Sequence, residues 1–137
     1  MVRRHLTERV LERLAIAPAV FLNGARQVGK TTLAQELIRS GVLHAYFTLD
    51  TLETLQAAQA DPQGFVNSLP LGAVVDEVPR APELLLPLKR RIDAERQAGV
   101  FLLTGSANPL TLPRVADALV GRMATLTLFR YNCLAGG

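Results

Sequence analysis

A chain of 137 residues, 49% hydrophobic and 20% charged, has the size and composition of one ordinary folded domain, which excludes a disordered or low-complexity polypeptide. Its only cysteine, Cys133, excludes an intrachain disulfide framework and a cysteine-built metal site, and suits a reducing cytoplasm. The net charge of +3 is mild, and the apolar run from Leu14 to Leu22, broken by Pro18, is too short for a bilayer span of about twenty residues, so no membrane association is expected.

Leu6, Val10, Leu11 and Leu14 recur at helical spacing and predict an amphipathic helix over about 5–16, with Thr7 as its N-cap and Pro18 as its stop. Ala19 to Asn23 is an apolar run bounded by proline and glycine, the pattern of a strand buried on both faces. A glycine loop follows, and then a helix over 31–40 with Leu33, Leu37 and Ile38 on one side and Gly41 as its end. Residues 44–50 read as a second strand and 51–60 as a helix, broken at Asp61-Pro62. A third strand over 71–76 ends in acid. Pro82 opens a turn or helix that Pro87 must kink or restart, because a proline inside a helix lacks the N–H for its hydrogen bond; from there the helix runs to Gly99. Residues 100–104 form a fourth strand closed by Gly105-Ser106, 112–120 a helix, and 124–129 a fifth strand. Strands alternating with helices predict a single α/β domain over 1–137, a three-layer core whose mainly parallel five-stranded sheet is flanked by helices.

The stretch Gly24-Ala25-Arg26-Gln27-Val28-Gly29-Lys30-Thr31 fits G-x-x-x-x-G-K-[ST], set between a strand and a helix as a phosphate-binding loop requires. Gly24 and Gly29 admit turns closed to other residues. Successive backbone N–H groups through Gln27, Val28, Gly29, Lys30, Thr31 and Thr32 then point into one concavity at a helix N-terminus, which favours anionic oxygen. Lys30 brings a point charge to the β- and γ-phosphates, and the Thr31 hydroxyl is a ligand for Mg²⁺. Val74-Val75-Asp76-Glu77 supplies a second acidic strand end: Asp76 holds Mg²⁺ through water, and Glu77 orients and deprotonates an attacking water. The fourth strand ends in Thr104-Gly105-Ser106. If it lies between the other two, Ser106, with Thr104 in reserve, is placed to hydrogen-bond that water; an ordinary strand-end turn is the alternative.

Arg122 precedes the fifth strand. It reads either as an arginine finger directed at the γ-phosphate of a neighbouring copy, which needs a homo-oligomer, or as a surface arginine at a helix C-terminus. Only Lys30 and Lys89 are lysines among the fifteen basic residues. Arg3, Arg4, Arg9 and Arg13 with Lys89-Arg90-Arg91 are candidate nucleic-acid contacts, although Glu8, Glu12, Asp93 and Glu95 interleave with them as on solvated helix faces.

Taken in order, GARQVGKTTLAQEL, AVVDEVPRAPELLLPLKRRID, FLLTGSAN and LVGRMATLTL resemble the prokaryotic AAA-type ATPases that pair an N-terminal ATPase domain with a nuclease-like C-terminal domain. The resemblance covers roughly residues 3–128, including the Walker A and Walker B patterns. It implies a core in which a third strand separates the phosphate-loop and acidic strands, Glu77 as catalytic base, Ser106 as polar sensor, and Arg26, Gln27 and Arg80 as family features. Family members continue into a helical lid and a second domain, whereas this sequence ends at Gly137, so a truncated or stand-alone core is expected. The expected function is that of a cytoplasmic ATP-binding, Mg²⁺-dependent ATPase domain that hydrolyses the β–γ bond by water attack. The alternatives are a nucleotide-binding fragment without turnover and a nucleic-acid-associated NTPase module.

Overall fold

A computed structural model describes residues 2–24, 30–106, 115, 117–119, 121–128 and 134–135. Helix α1 spans Val2–Ile16 and leads into β1, Ala19–Gly24. The helix starts earlier than the pattern suggests, so Thr7 lies inside it and is no cap. Val10 and Leu14 are buried, while Leu11 faces outward.

The next elements are α2 (Lys30–Arg39), β2 (Ala45–Thr48), α3 (Leu52–Ala60) and α4 (Pro62–Ser68). Asp61-Pro62 does more than break α3. The Asp61 carboxylate accepts a hydrogen bond from Gly64 N at 3.0 Å and Pro62 takes the first helical position, where its missing N–H is no loss, so the same pair starts α4. Strand β3 (Ala73–Asp76) is followed by two short 3₁₀ turns, Val78–Arg80 and Pro82–Leu84, and by α5, Leu85–Glu95. Pro87 sits in the first turn of α5, where backbone N–H groups have no intrahelical acceptor, so it neither kinks nor restarts the helix. The helix stops at Arg96, in the left-handed conformation at φ 53°, before reaching Gly99. Strands β4 (Phe101–Gly105), β5 (Met123–Leu128) and β6 (Leu134–Ala135) complete the described order. Of the helix expected over 112–120, the described residues 115, 117 and 118 are helical.

The sheet order is β2-β3-β4-β1-β5-β6. The first five strands run parallel, as the alternation of strands and helices requires. β6, too short to read from sequence, pairs antiparallel with β5. Every residue of β1, β3 and β4 is buried, because helices cover both faces of these central strands. On one face Val20, Leu22, Val74 and Leu102 pack against Val10 and Leu14 of α1 and Leu33 and Leu37 of α2. On the other, Phe21, Val75, Phe101 and Leu103 meet Ala58, Val66, Leu88 and Ile92 from α3, α4 and α5, together with Val115 and Leu119.

Parallel register brings the strand ends to one edge. Asn23 of β1 lies beside Gly105 of β4, Val75 beside Leu103, and Thr48 of β2 beside Asp76. In an open α/β sheet this carboxyl edge is where ligands bind.

Candidate functional site

The site starts from β3, whose apolar Val74 and Val75 anchor the strand in the core and deliver Asp76 and Glu77 to its carboxyl edge. Both acids are buried, at 5% and 6% exposure. Glu77 adopts φ 60°, ψ 44°, a left-handed conformation that costs a side-chain-bearing residue about 1–2 kcal/mol. Strain of this kind persists only where surrounding contacts hold it, and here they do. Glu77 N donates to Thr104 Oγ1 at 3.1 Å, while Ser106 donates to the Glu77 carboxylate from its backbone N at 3.2 Å and from its hydroxyl at 3.0 Å.

Asp76 is held from both neighbouring strands. Thr104 Oγ1 donates to Asp76 Oδ1 from β4, and Thr48 Oγ1 donates to Oδ2 at 2.8 Å from β2. Lys30, at 3% exposure, would be an expensive buried cation without partners. Its Nζ donates to Gly24 O at 2.8 Å and Gly105 O at 2.7 Å, tying the ends of β1 and β4 together, and lies 3.7 Å from Glu77 Oε2. Asp50 completes the edge: carboxylate oxygens of Asp50, Asp76 and Glu77 lie within 4.8 Å of one another, and Asp50 is paired with Arg80 at 3.3 Å.

The structure thus brings Lys30, Asp76, Glu77, Thr104 and Ser106 into one cluster beside the end of β1. β4 lies between β3 and β1, the arrangement the resemblance implies. Gln27, Val28 and Gly29 lie outside the described residues, as does the Thr31 side chain; Thr31 and Thr32 fall in the first turn of α2, with Thr32 half-buried. Arg80, given no role from sequence, proves to be the Asp50 partner.

Arg122 lies elsewhere. Its carbonyl accepts from Ala19 N at the start of β1, so it sits at the amino edge of the sheet, opposite the cluster of its own chain. Its guanidinium grips Asp93 of α5 with two bonds, Nε to Oδ1 at 2.6 Å and a terminal nitrogen to Oδ2 at 3.1 Å. Those bonds lower the Asp93 pKa below its ordinary value and raise that of Arg122. The Lys89-Arg90-Arg91 run is not a uniform basic face either. Arg91 turns inward to bond Val66 O, Leu69 O and Glu95, and lies over the Phe101 ring at 5.6 Å.

Sequence reasoning missed Thr48, Asp50 and Asn23. The signal for the first two was a hydroxyl and an acid closing a strand that neighbours the acidic strand. Asn23, the residue before the end of β1, has its Oδ1 buried and, among the described residues, without a hydrogen-bond partner.

A family model described as an AAA domain matches residues 17–133. Two curated proteins, both described as uncharacterized, one from Mycobacterium tuberculosis and one from Mycobacterium bovis, are each 32% identical over 127 residues. Those matches cover 92% of this chain, which spans 28% of the length of either relative. Among solved structures, AMPPCP-bound DnaA from Aquifex aeolicus superposes with a TM-score of 0.52 at 19% identity, over 88% of this chain and 44% of that one. The RuvB R170A variant of Thermotoga maritima gives 0.56 at 23% identity, over 90% and 44%. At those identities the likeness is one of fold. No helix among the described residues is long and apolar enough to cross a membrane.

Proposed function

We propose, from the premise that the chain belongs to the AAA domain family of P-loop ATPases, that residues 1–137 form one ATPase core, which binds ATP with Mg²⁺ and hydrolyses the β–γ bond by water attack. Membership makes the chain a nucleotide-binding, ATPase-like module; turnover with Mg²⁺ is the proposal. The observation that carries it is the edge cluster: a buried Lys30 and two buried acids, Asp76 and Glu77, meet at the carboxyl ends of adjacent strands with Ser106 beside them.

The donor set suits a hard divalent cation, since carboxylate oxygens of Asp50, Asp76 and Glu77 converge and no sulfur or imidazole is among them. Asp76 and the Thr31 hydroxyl are the groups assigned to hold Mg²⁺. Bound there with nucleotide, the ion neutralises charge on the phosphate oxygens. Lys30 Nζ exchanges its carbonyl partners for β- and γ-phosphate oxygens, while backbone N–H groups from Gly24 to Thr32 cradle them. Glu77 takes the proton of the attacking water as the water oxygen bonds to the γ-phosphorus and the β–γ bridging oxygen leaves with ADP. Ser106 orients Glu77 and that water. Arg122 sits at the far edge of its own sheet with its guanidinium on Asp93, so a role as arginine finger requires the γ-phosphate of another copy and release from Asp93; the pair with Asp93 supports the alternative, a surface arginine. A cytoplasmic setting fits the single cysteine.

Phosphate release from Mg-ATP tests the reading. Release is expected from the wild-type chain, with loss in Glu77→Gln and loss of nucleotide binding in Lys30→Ala. A second reading, binding without turnover, is favoured by one observation: Ser106 and Lys30 already occupy the Glu77 carboxylate. It predicts binding that depends on Lys30 and no difference in phosphate release between wild type and Glu77→Gln.

A further inference from the structure

Two threonines meet Asp76 from opposite sides, and the direction of each hydroxyl is fixed by a second bond. A hydroxyl has one proton to give. Thr104 Oγ1 accepts from Glu77 N at 3.1 Å, so its proton goes to Asp76 Oδ1. Thr48 Oγ1 accepts from Asp50 N at 3.2 Å, so its proton goes to Asp76 Oδ2 at 2.8 Å. Neither hydroxyl is free to turn without giving up a bond.

An ionised carboxylate accepts at about four lone-pair sites. With one site on each oxygen filled from a defined direction, the plane of the Asp76 carboxylate and the directions of its remaining lone pairs are set. Thr104 already belongs to the strand tip read from sequence. Thr48 belongs to β2, on the side of Asp76 away from β4, and its Oγ1 also accepts from the backbone N of Asp50, whose carboxylate approaches Asp76.

We infer that Thr48 is a positioning residue for Asp76, setting the angle at which that carboxylate, through water, holds the divalent cation of a bound nucleoside triphosphate. The inference rests on the ATP-and-Mg²⁺ reading above. Thr48 need not touch nucleotide or metal: its effect passes through one donated proton. Valine has the same branched shape and lacks that proton, whereas serine keeps it.

The test uses the full chain with a non-hydrolysable ATP analogue and Mn²⁺ in place of Mg²⁺, following protein-bound metal by equilibrium dialysis against the same concentration of analogue. In Thr48→Val the Mn²⁺ dissociation constant in the presence of analogue is expected to rise about 10-fold or more, the usual effect of losing a hydrogen bond to a metal-holding carboxylate, while Thr48→Ser stays within about 2-fold of wild type. Affinity for the analogue in chelator should not change, since metal-free binding does not call on Asp76. Thr48→Ala, also without a donor, decides the matter if the valine variant does not fold. A valine or alanine variant that holds Mn²⁺ as tightly as wild type overturns the inference. So does an equal loss of affinity with and without metal, or a serine variant as weak as valine, because either outcome marks a packing role. If the wild-type chain retains no Mn²⁺ with the analogue, it is the ATP-and-Mg²⁺ reading that fails, and Thr48 has no metal to position.

Discussion

Replacing Lys30 by methionine keeps an unbranched stem and removes the ammonium, so it isolates what that charge does before any nucleotide arrives. Its Nζ donates to two strand-end carbonyls, at 2.8 and 2.7 Å, and lies 3.7 Å from Glu77 Oε2, with the lysine side chain 3% exposed. Hydrogen bonds from a charged donor are each worth about 1.5–3 kcal/mol, and removing one member of a buried ion pair costs about 3–5 kcal/mol. The separation of 3.7 Å, and the bonds Ser106 already makes to the same carboxylate, place the effect at the lower end, about 3 kcal/mol. For a chain of this size that lowers the melting temperature by roughly 10 °C. Much of the loss comes from leaving Glu77 buried without its counter-charge, so Lys30→Met/Glu77→Gln should recover about 1 kcal/mol or more relative to the sum of the single changes. Urea unfolding of the four proteins in chelator, without nucleotide, gives the complete cycle. A Lys30→Met loss below about 1 kcal/mol, or additivity within about 0.5 kcal/mol, would refute the reasoning that Lys30 and Glu77 compensate each other in the resting site.

Other parts of the fold make separate predictions. Asp61→Ala should lower stability by about 1 kcal/mol in urea unfolding, since it removes the N-cap of α4 while leaving Pro62 in place. Gly105→Ala should destabilise by about 1–3 kcal/mol and lower phosphate release, because the new methyl would lie 2.9 Å from Phe21 Cζ and 3.0 Å from Pro79, pressing the turn after Glu77 away from β4. Asp93→Asn should remove a stabilising contribution that is present at neutral pH and weakened by salt. The folded pKa of Asp93 is depressed, so this contribution is full above the ordinary value of 3.8 and is lost as pH falls from there through the lower folded value. Stability curves of wild type and Asp93→Asn should therefore converge at the acid end, and a gap that stays constant across that window contradicts the assignment.

The fold was legible where one local signal dominated. Val74-Val75-Asp76 and the 101–105 strand announce themselves as apolar runs because helices bury both faces, and the order of strands and helices leaves only a parallel sheet. α4 was not legible, since Asp61-Pro62 looks like a terminator unless its capping bond to Gly64 is known. From sequence Pro87 reads as a kink or a restart, because its place in the first turn depends on where the preceding 3₁₀ turn ends. In the site, Lys30, Asp76, Glu77 and Ser106 follow from motif chemistry along single segments. Thr48 and Asp50 do not, because their role depends on β2 lying next to β3, a lateral pairing that no local pattern encodes. The inward turn of Arg91 is hidden for a similar reason: its acceptors, Val66 O and Leu69 O, belong to α4 and the residue that caps it.

The most direct test of the hydrolytic role proposed for Asp76-Glu77 is turnover of Mg-ATP in ¹⁸O-labelled water. One labelled oxygen is expected in the released phosphate and none in ADP, at a rate that falls about 10²–10⁴-fold in Glu77→Gln. Label in ADP, or phosphate release that is the same in wild type and Glu77→Gln, would contradict it.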